Sequence, residues 1–241
     1  MEELWLDSGD LDSHIAPELD RSALLVIDTQ VDFVNGGASP VPGTSAVVPV
    51  VARLVAAFRA AGRPVVHVVR LYDGDDVDLA RRTLLSSGAP IVRPGSAGAQ
   101  VVPDLLPAGA PGLDAPRLLA GELQLLGPGE WAMWKPRWGA FHRTGLDDHL
   151  RALGVSTVVL AGCNYPNCPR AAVYGASERD YRVLLAADAI SGVQPAHLAE
   201  AAGMGVVAAP AERIRAALLA GGGRPGDPGQ DSRPWAADRR G

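Results

Sequence analysis

The segment Leu160-Ala-Gly-Cys-Asn-Tyr-Pro-Asn-Cys-Pro-Arg170 carries both cysteines of the chain, Cys163 and Cys168. Proline suits the first position of a helix, where its missing N–H would be unpaired anyway, so Pro169 sets Cys168 at a helix start. The positive end of the helix dipole favours an anion there, which predicts a lowered thiol pKa and a nucleophilic thiolate. The same helix start offers backbone N–H groups to a developing oxyanion. A small buried cysteine beside a turn is the other reading of this segment. Asp28 ends the wholly apolar run Ala23-Leu-Leu-Val-Ile27, either as a loop cap or as a carboxylate held in a cleft to move protons. Lys135 follows Met133-Trp134 and precedes Pro136, in a chain with very few lysines. It is either a surface cation whose stem covers apolar area or a charge held out of bulk water.

Other residues lie beside these three. Arg70, Trp138, Phe141, Asn164 and Tyr165 are candidates for a substrate pocket, as is Phe33, and each could equally be a packing residue. Arg137 and Arg170 could bind a carboxylate or pair with nearby acidic side chains. Five histidines are scattered without metal-ligand spacing, so no metal or cofactor is expected. His67, inside a strand-like run, reads as a core or edge residue. No phosphate loop and no Gly-x-Ser-x-Gly elbow occurs, which argues against nucleotide binding and serine hydrolase chemistry.

The elements that must position these groups alternate. Strands are predicted at Ala23–Ile27, Pro64–Arg70, Trp131–Lys135, Thr157–Ala161, Tyr181–Ala186 and Val206–Ala209, as short apolar runs typical of strands buried on both faces. Helices are predicted at Ser45–Ala61, Asp78–Ser87, Leu146–Leu153, Pro169–Arg179, Ala196–Gly203 and Ala211–Leu219. This alternation implies an α/β fold: a doubly wound, mostly parallel, Rossmann-like sheet of about six strands with helices on both faces. Ligands bind such sheets beyond the carboxyl ends of the strands. Asp28, Lys135 and the Gly162–Cys168 turn all follow predicted strands, so they can meet at one edge. The Pro- and Gly-rich stretch Gly88–Gly129 reads as a long irregular excursion of the kind that often forms binding loops. Residues 1–21 read as an N-terminal arm, 22–220 as one domain, and 221–241, dominated by Gly, Pro, Arg and Asp, as a disordered tail.

Composition excludes several classes. A hydrophobic share of 47% with 20% charged residues suits a globular protein. The net charge of -5 and the absence of any Lys/Arg-rich block argue against nucleic acid as a partner. Apolar runs are too short to cross a bilayer, no signal segment opens the chain, and two cysteines make no disulfide framework. A cytoplasmic protein with reduced thiols and no membrane partner is expected.

Taken together, Leu24-Leu-Val-Ile-Asp-Thr-Gln-Val-Asp-Phe33, Lys135-Pro-Arg-Trp-Gly-Ala-Phe141, and Gly162 followed six residues later by Cys168 resemble the isochorismatase-like cysteine hydrolases. This superfamily includes nicotinamidases, carbamoyl-amide amidohydrolases and a hydrolase of streptothricin-type antibiotics. The resemblance covers about residues 22 to 220. It implies Cys168 as nucleophile, Asp28 as proton carrier, Lys135 as the charge that holds them, and the N–H groups of Asn164 and Cys168 as oxyanion donors. It also implies a cis peptide at Cys163–Asn164 and a homo-oligomer, dimer or tetramer. Tyr165 stands where the family usually has Thr, and Pro169 where it usually has Val; the strand-end Asp-x-His element of its metal-binding branch is not matched. Members that cleave the vinyl ether of isochorismate lack the nucleophilic cysteine, so Cys168 favours hydrolysis of an amide or carbamoyl C–N bond in a small molecule. An ether hydrolase and a catalytically silent binder of the same fold are the alternatives.

Overall fold

Strand β1, Ser22–Ile27, is buried along its whole length, which is why its sequence is an unbroken apolar run rather than an alternating one. Its side chains divide between two cores. Leu24 and Val26 join the cluster under α1 (Thr44–Ala60), whereas Ala23, Leu25 and Ile27 join the cluster under α4 (Leu146–Ala152) and α5 (Cys168–Ser177). The computed structural model describes residues 11–221.

Around β1 lie β2 (Val65–Val69), β4 (Glu130–Trp134), β5 (Thr157–Gly162), β6 (Arg182–Ile190) and β7 (Val207–Ala209), all parallel. The sheet has seven strands rather than about six. The additional one is β3 (Gln124–Gly127), an antiparallel edge strand that forms a hairpin with β4. Its sequence is short and flanked by Gly and Pro, so pairing with β4, not local pattern, makes it a strand. Strand order is β3-β4-β2-β1-β5-β6-β7. The chain winds outward in both directions from β1, and the order reverses between β1 and β5, where open α/β sheets form their ligand crevice.

Helices α1 and α7 (Ala211–Gly221) pack together on one face, with α4, α5 and α6 (Pro195–Ala202) on the other. The stretch 88–129, expected as a binding loop, instead holds α3 (Ala115–Leu119) and β3 and buries Val92, Val101, Leu105 and Leu118 in the α1-side core. The first motif ties it down. Asp32 accepts hydrogen bonds from the N–H groups of Ala38 and Val92, and the Gln30 amide donates to the Ala99 carbonyl. Within the expected arm, the Glu18 N–H donates to Thr157 Oγ1. Residues 1–10 of that arm, and the expected tail beyond Gly221, lie outside the described residues. No helix among the described residues is long and apolar enough to cross a membrane.

Candidate active site

Four strand ends converge at the switch point. Asp28 follows β1, Arg70 follows β2, Lys135 follows β4, and Cys163 follows β5. Asp28 adopts φ +49°, a left-handed conformation that is uncommon outside glycine and costs of order 1–3 kcal/mol. Opposite Ile27, Gly162 has φ +114°, and a Cβ there would lie 2.2 Å from the Ile27 carbonyl oxygen. Only glycine lets β5 pass so close to the end of β1. The Cys163 N–H then donates to the Ile27 carbonyl at 2.8 Å, which brings the turn leading to Cys168 against Asp28.

Lys135 is fully buried, and its Nζ donates to Asp28 Oδ2 at 3.0 Å. It is the only lysine in the chain, a stronger signal than scarcity. The other carboxylate oxygen, Oδ1, is buried with no hydrogen-bond partner among the described residues. Cys168 is the first residue of α5, with Pro169 behind it and Asn167 as N-cap. The N–H groups of Asn164 and Cys168 make no backbone hydrogen bond within the described chain, which leaves them available as donors.

The thiol is not acidified as its helix position predicts. Burial, and then the Asp28 carboxylate, push Cys168 up to about 11, against the pull of Lys135 and Arg70. Burying Cys168, a residue only 5% exposed, next to a carboxylate outweighs the pull of the two cations. Cys163, behind it, is pushed up to about 12, chiefly by burial. The Cys163–Asn164 peptide, implied to be cis, is trans. A trans bond, favoured by about 2.5–4 kcal/mol before a non-proline residue, here already allows the Cys163 bond to Ile27 and a Tyr165 N–H bond to the Ser191 carbonyl.

A narrow cleft opens onto Asp28 and Cys168. Of the pocket candidates, Phe33, Arg70, Trp138 and Asn164 line it. Phe141 and Tyr165 do not. Phe141 is packed under α5 against Gly175 and lies 5.8 Å, centroid to centroid, from the Tyr181 ring. Tyr165 is buried and stacks on His197 at 4.9 Å, away from the cleft. Both rings gain more by filling the α5-side core than by facing solvent. Arg137 pairs with Asp76, and Arg170 with Glu200. His67 is buried in β2, with Nε2 2.6 Å from Glu130 Oε1, and Arg59 clamps the same carboxylate.

Sequence reasoning missed Tyr72 and Arg81, which also line the cleft. Arg81 comes from α2 (Leu79–Ser86), a short helix between β2 and the 88–129 stretch. Burial pushes Tyr72 up to about 12. Arg70 remains firmly protonated: burial works against its charge, but Cys168, Asp28, Tyr72 and Asp78 together raise its pKa.

This fold, with its crevice between β1 and β5, is that of the isochorismatase-like hydrolases. The family model for the isochorismatase domain matches residues 22–214, and the chain belongs to that family. It is 35% identical over 181 residues to a protein of Arabidopsis thaliana described as a probable inactive nicotinamidase, covering 73% of this chain and 83% of that one. It is 30% identical over 191 residues to the ureidoacrylate amidohydrolase RutB of Methylobacterium radiotolerans, covering 74% and 70%. Among solved structures, an isochorismatase family protein from Desulfovibrio vulgaris superposes with a TM-score of 0.69 at 33% identity, covering 83% of this chain and 98% of that one.

Proposed function

We propose that this chain is a cysteine amidohydrolase that cleaves an amide or carbamoyl C–N bond of a small, non-peptide molecule. One observation carries the reading: a fully buried Lys135 is ion-paired to Asp28 on a cleft that Cys168 also lines. A buried ion pair is weak as a stabilising device, which argues that this one is kept for chemistry. The kinship with an amidohydrolase supports the bond type, and the presence of Cys168 favours C–N over ether cleavage.

The raised thiol pKa sets the order of events. At neutral pH the sulfur holds its proton until substrate arrives. Asp28 then takes that proton as Sγ attacks the carbonyl carbon, forming the C–S bond. The carbonyl oxygen becomes an oxyanion facing the N–H groups of Asn164 and Cys168. Collapse breaks the C–N bond, and Asp28 returns the proton to the departing nitrogen, releasing ammonia or an amine and leaving a thioester. Water, losing a proton to Asp28, attacks the thioester. The acid leaves and the thiol is restored. Lys135 keeps Asp28 oriented and counters its charge throughout. Two free thiols fit a reducing compartment such as the cytoplasm.

The test is an ammonia-release screen over small primary amides and ureido compounds, run with wild type and Cys168→Ala. Release by wild type alone supports the reading. Wild type that releases none from any of them, yet binds them, would make the chain a silent binder, the state suggested by the description of its Arabidopsis relative.

A further inference from the structure

Lys135 and Arg70 bring positive charge to the cysteine in different ways. Lys135 Nζ donates to Asp28 Oδ2 at 3.0 Å and to the Arg137 carbonyl at 3.4 Å, and neither bond reaches the sulfur. Arg70 makes that contact: its Nη2 donates to Cys168 Sγ at 3.8 Å. Arg70 follows β2 and is 2% exposed, so little water screens its charge from the sulfur.

The guanidinium is held in place before any charge appears on the cysteine. The Gln30 side chain accepts from the Arg70 N–H and donates to the Arg70 carbonyl, at 2.7 and 2.8 Å. Nη2 also donates to Asp78 Oδ2 at 2.5 Å, and Asp78 in turn accepts from the Trp138 N–H at 3.1 Å. Asp78 is the N-cap residue of α2, yet its side chain caps no helix N–H. The rings of Tyr72 and Trp138 lie 5.7 and 5.5 Å from the guanidinium carbon.

A donor fixed in this way needs no reorganisation when charge develops beside it. At rest the sulfur is a neutral thiol, and the contact with Nη2 is long. When the proton passes to Asp28, whose Oδ1 has no other partner among the described residues, the sulfur gains negative charge. The same contact then becomes a charge-assisted hydrogen bond, roughly twice as strong as one between neutral groups. The interaction is therefore weak in the resting site and strong while the sulfur is charged, which is the condition for lowering a barrier.

We infer that Arg70 is a further catalytic residue, the hydrogen-bond donor that holds the Cys168 thiolate. It acts twice in each turnover. As Asp28 takes the thiol proton, Arg70 holds the charge on sulfur until that electron pair forms the C–S bond. In the second half, water gives a proton to Asp28 and its oxygen bonds to the acyl carbon. The C–S bond then breaks, its electron pair returns to sulfur, and Arg70 holds the thiolate until Asp28 gives the proton back. Arg70 keeps its own protons throughout. This inference rests on the reading of Cys168 as an amidohydrolase nucleophile, and its test separates the two.

Alkylation of Cys168 by iodoacetamide at pH 8, followed by peptide mapping, reads the thiolate without any substrate. Ammonia release from the small amides and ureido compounds reads turnover. Arg70→Gln should lower both rates, by about ten- to a hundredfold. Arg70→Lys, which keeps the charge, should fall between Arg70→Gln and wild type, a ranking by charge that a merely structural role would not produce. Because Arg70→Gln alone strands the buried Asp78 carboxylate, the double variant Arg70→Gln/Asp78→Asn is measured beside it and should show the same two losses. Alkylation as fast as wild type in both glutamine variants, or slowed alkylation with undiminished turnover, overturns the inference. Slowed alkylation in the variants, with no ammonia released by wild type, would instead overturn the hydrolase reading and leave Arg70 supported as the partner of the thiolate.

Discussion

Lys135 Nζ and Asp28 Oδ2 meet at 3.0 Å across 107 residues of chain, with the lysine wholly out of solvent. The pair joins the ends of β1 and β4, between which only β2 lies in the sheet. Lys135→Ala would strand a buried carboxylate. The expected cost is about 3–5 kcal/mol, read as a lower guanidinium midpoint with unchanged m-value. Adding Asp28→Asn should recover much of that loss, because no charge is then left unpaired. Activity should be lost in both proteins.

Burial of the only lysine has a chemical readout. An amine-reactive reagent should leave Lys135 unmodified in the native protein and label it once the chain is denatured. Peptide mapping checks this. Rapid native labelling of Lys135 would contradict the ion pair.

Cys168, with its thiol at about 11, should react with iodoacetamide at a rate that still rises with pH beyond 10, where an ordinary thiol has levelled off. Lys135 and Arg70 both pull this pKa down, so Arg70→Gln should slow alkylation at any fixed pH below 10. A plateau below pH 8 would show that the helix start and the cations prevail over burial.

The same shifts couple to stability. Cys163 and Cys168 hold their protons more tightly folded than unfolded, since both lie above the ordinary thiol value of 9.0. The folded chain therefore binds more protons between pH 9 and about 11. Stability should be intact below pH 9 and fall as pH rises, by at most about 1.4 kcal/mol per pH unit for each thiol. Denaturant midpoints from pH 8 to 10.5 measure this, and Cys163→Ala should flatten the slope.

The strands β1, β2 and β5 were legible because burial on both faces leaves an unbroken apolar run, and the residues after them inherit the strand ends. The positions of Asp28 and Lys135 at strand ends were legible for that reason, and that of Cys168 because Pro169 marks a helix start. What escaped depends on contacts between distant segments. Arg81 reaches the cleft only through the placement of α2, and β3 exists only by pairing with β4. Phe141 and Tyr165 stand beside motif residues in sequence, but adjacency does not say which face a side chain takes. The direction of the thiol shift was misread because a helix start is visible in sequence and desolvation is not.

Gly162 is a further point of strain. Gly162→Ala would drive a Cβ into the Ile27 carbonyl from a backbone conformation that L-residues avoid. Severe destabilisation, several times the ~1 kcal/mol of a typical substitution, is expected, read as loss of cooperative unfolding or of soluble expression.

The nucleophile itself can be trapped. On the first amide that releases ammonia, wild-type enzyme quenched in acid during turnover should gain the mass of the acyl group, and peptide mapping should place it on Cys168. The Cys168→Ala protein should keep its fold by circular dichroism, gain no mass and release no ammonia. Cys168→Ala that hydrolyses the amide near the wild-type rate, or an acyl group found on another residue, would contradict the account.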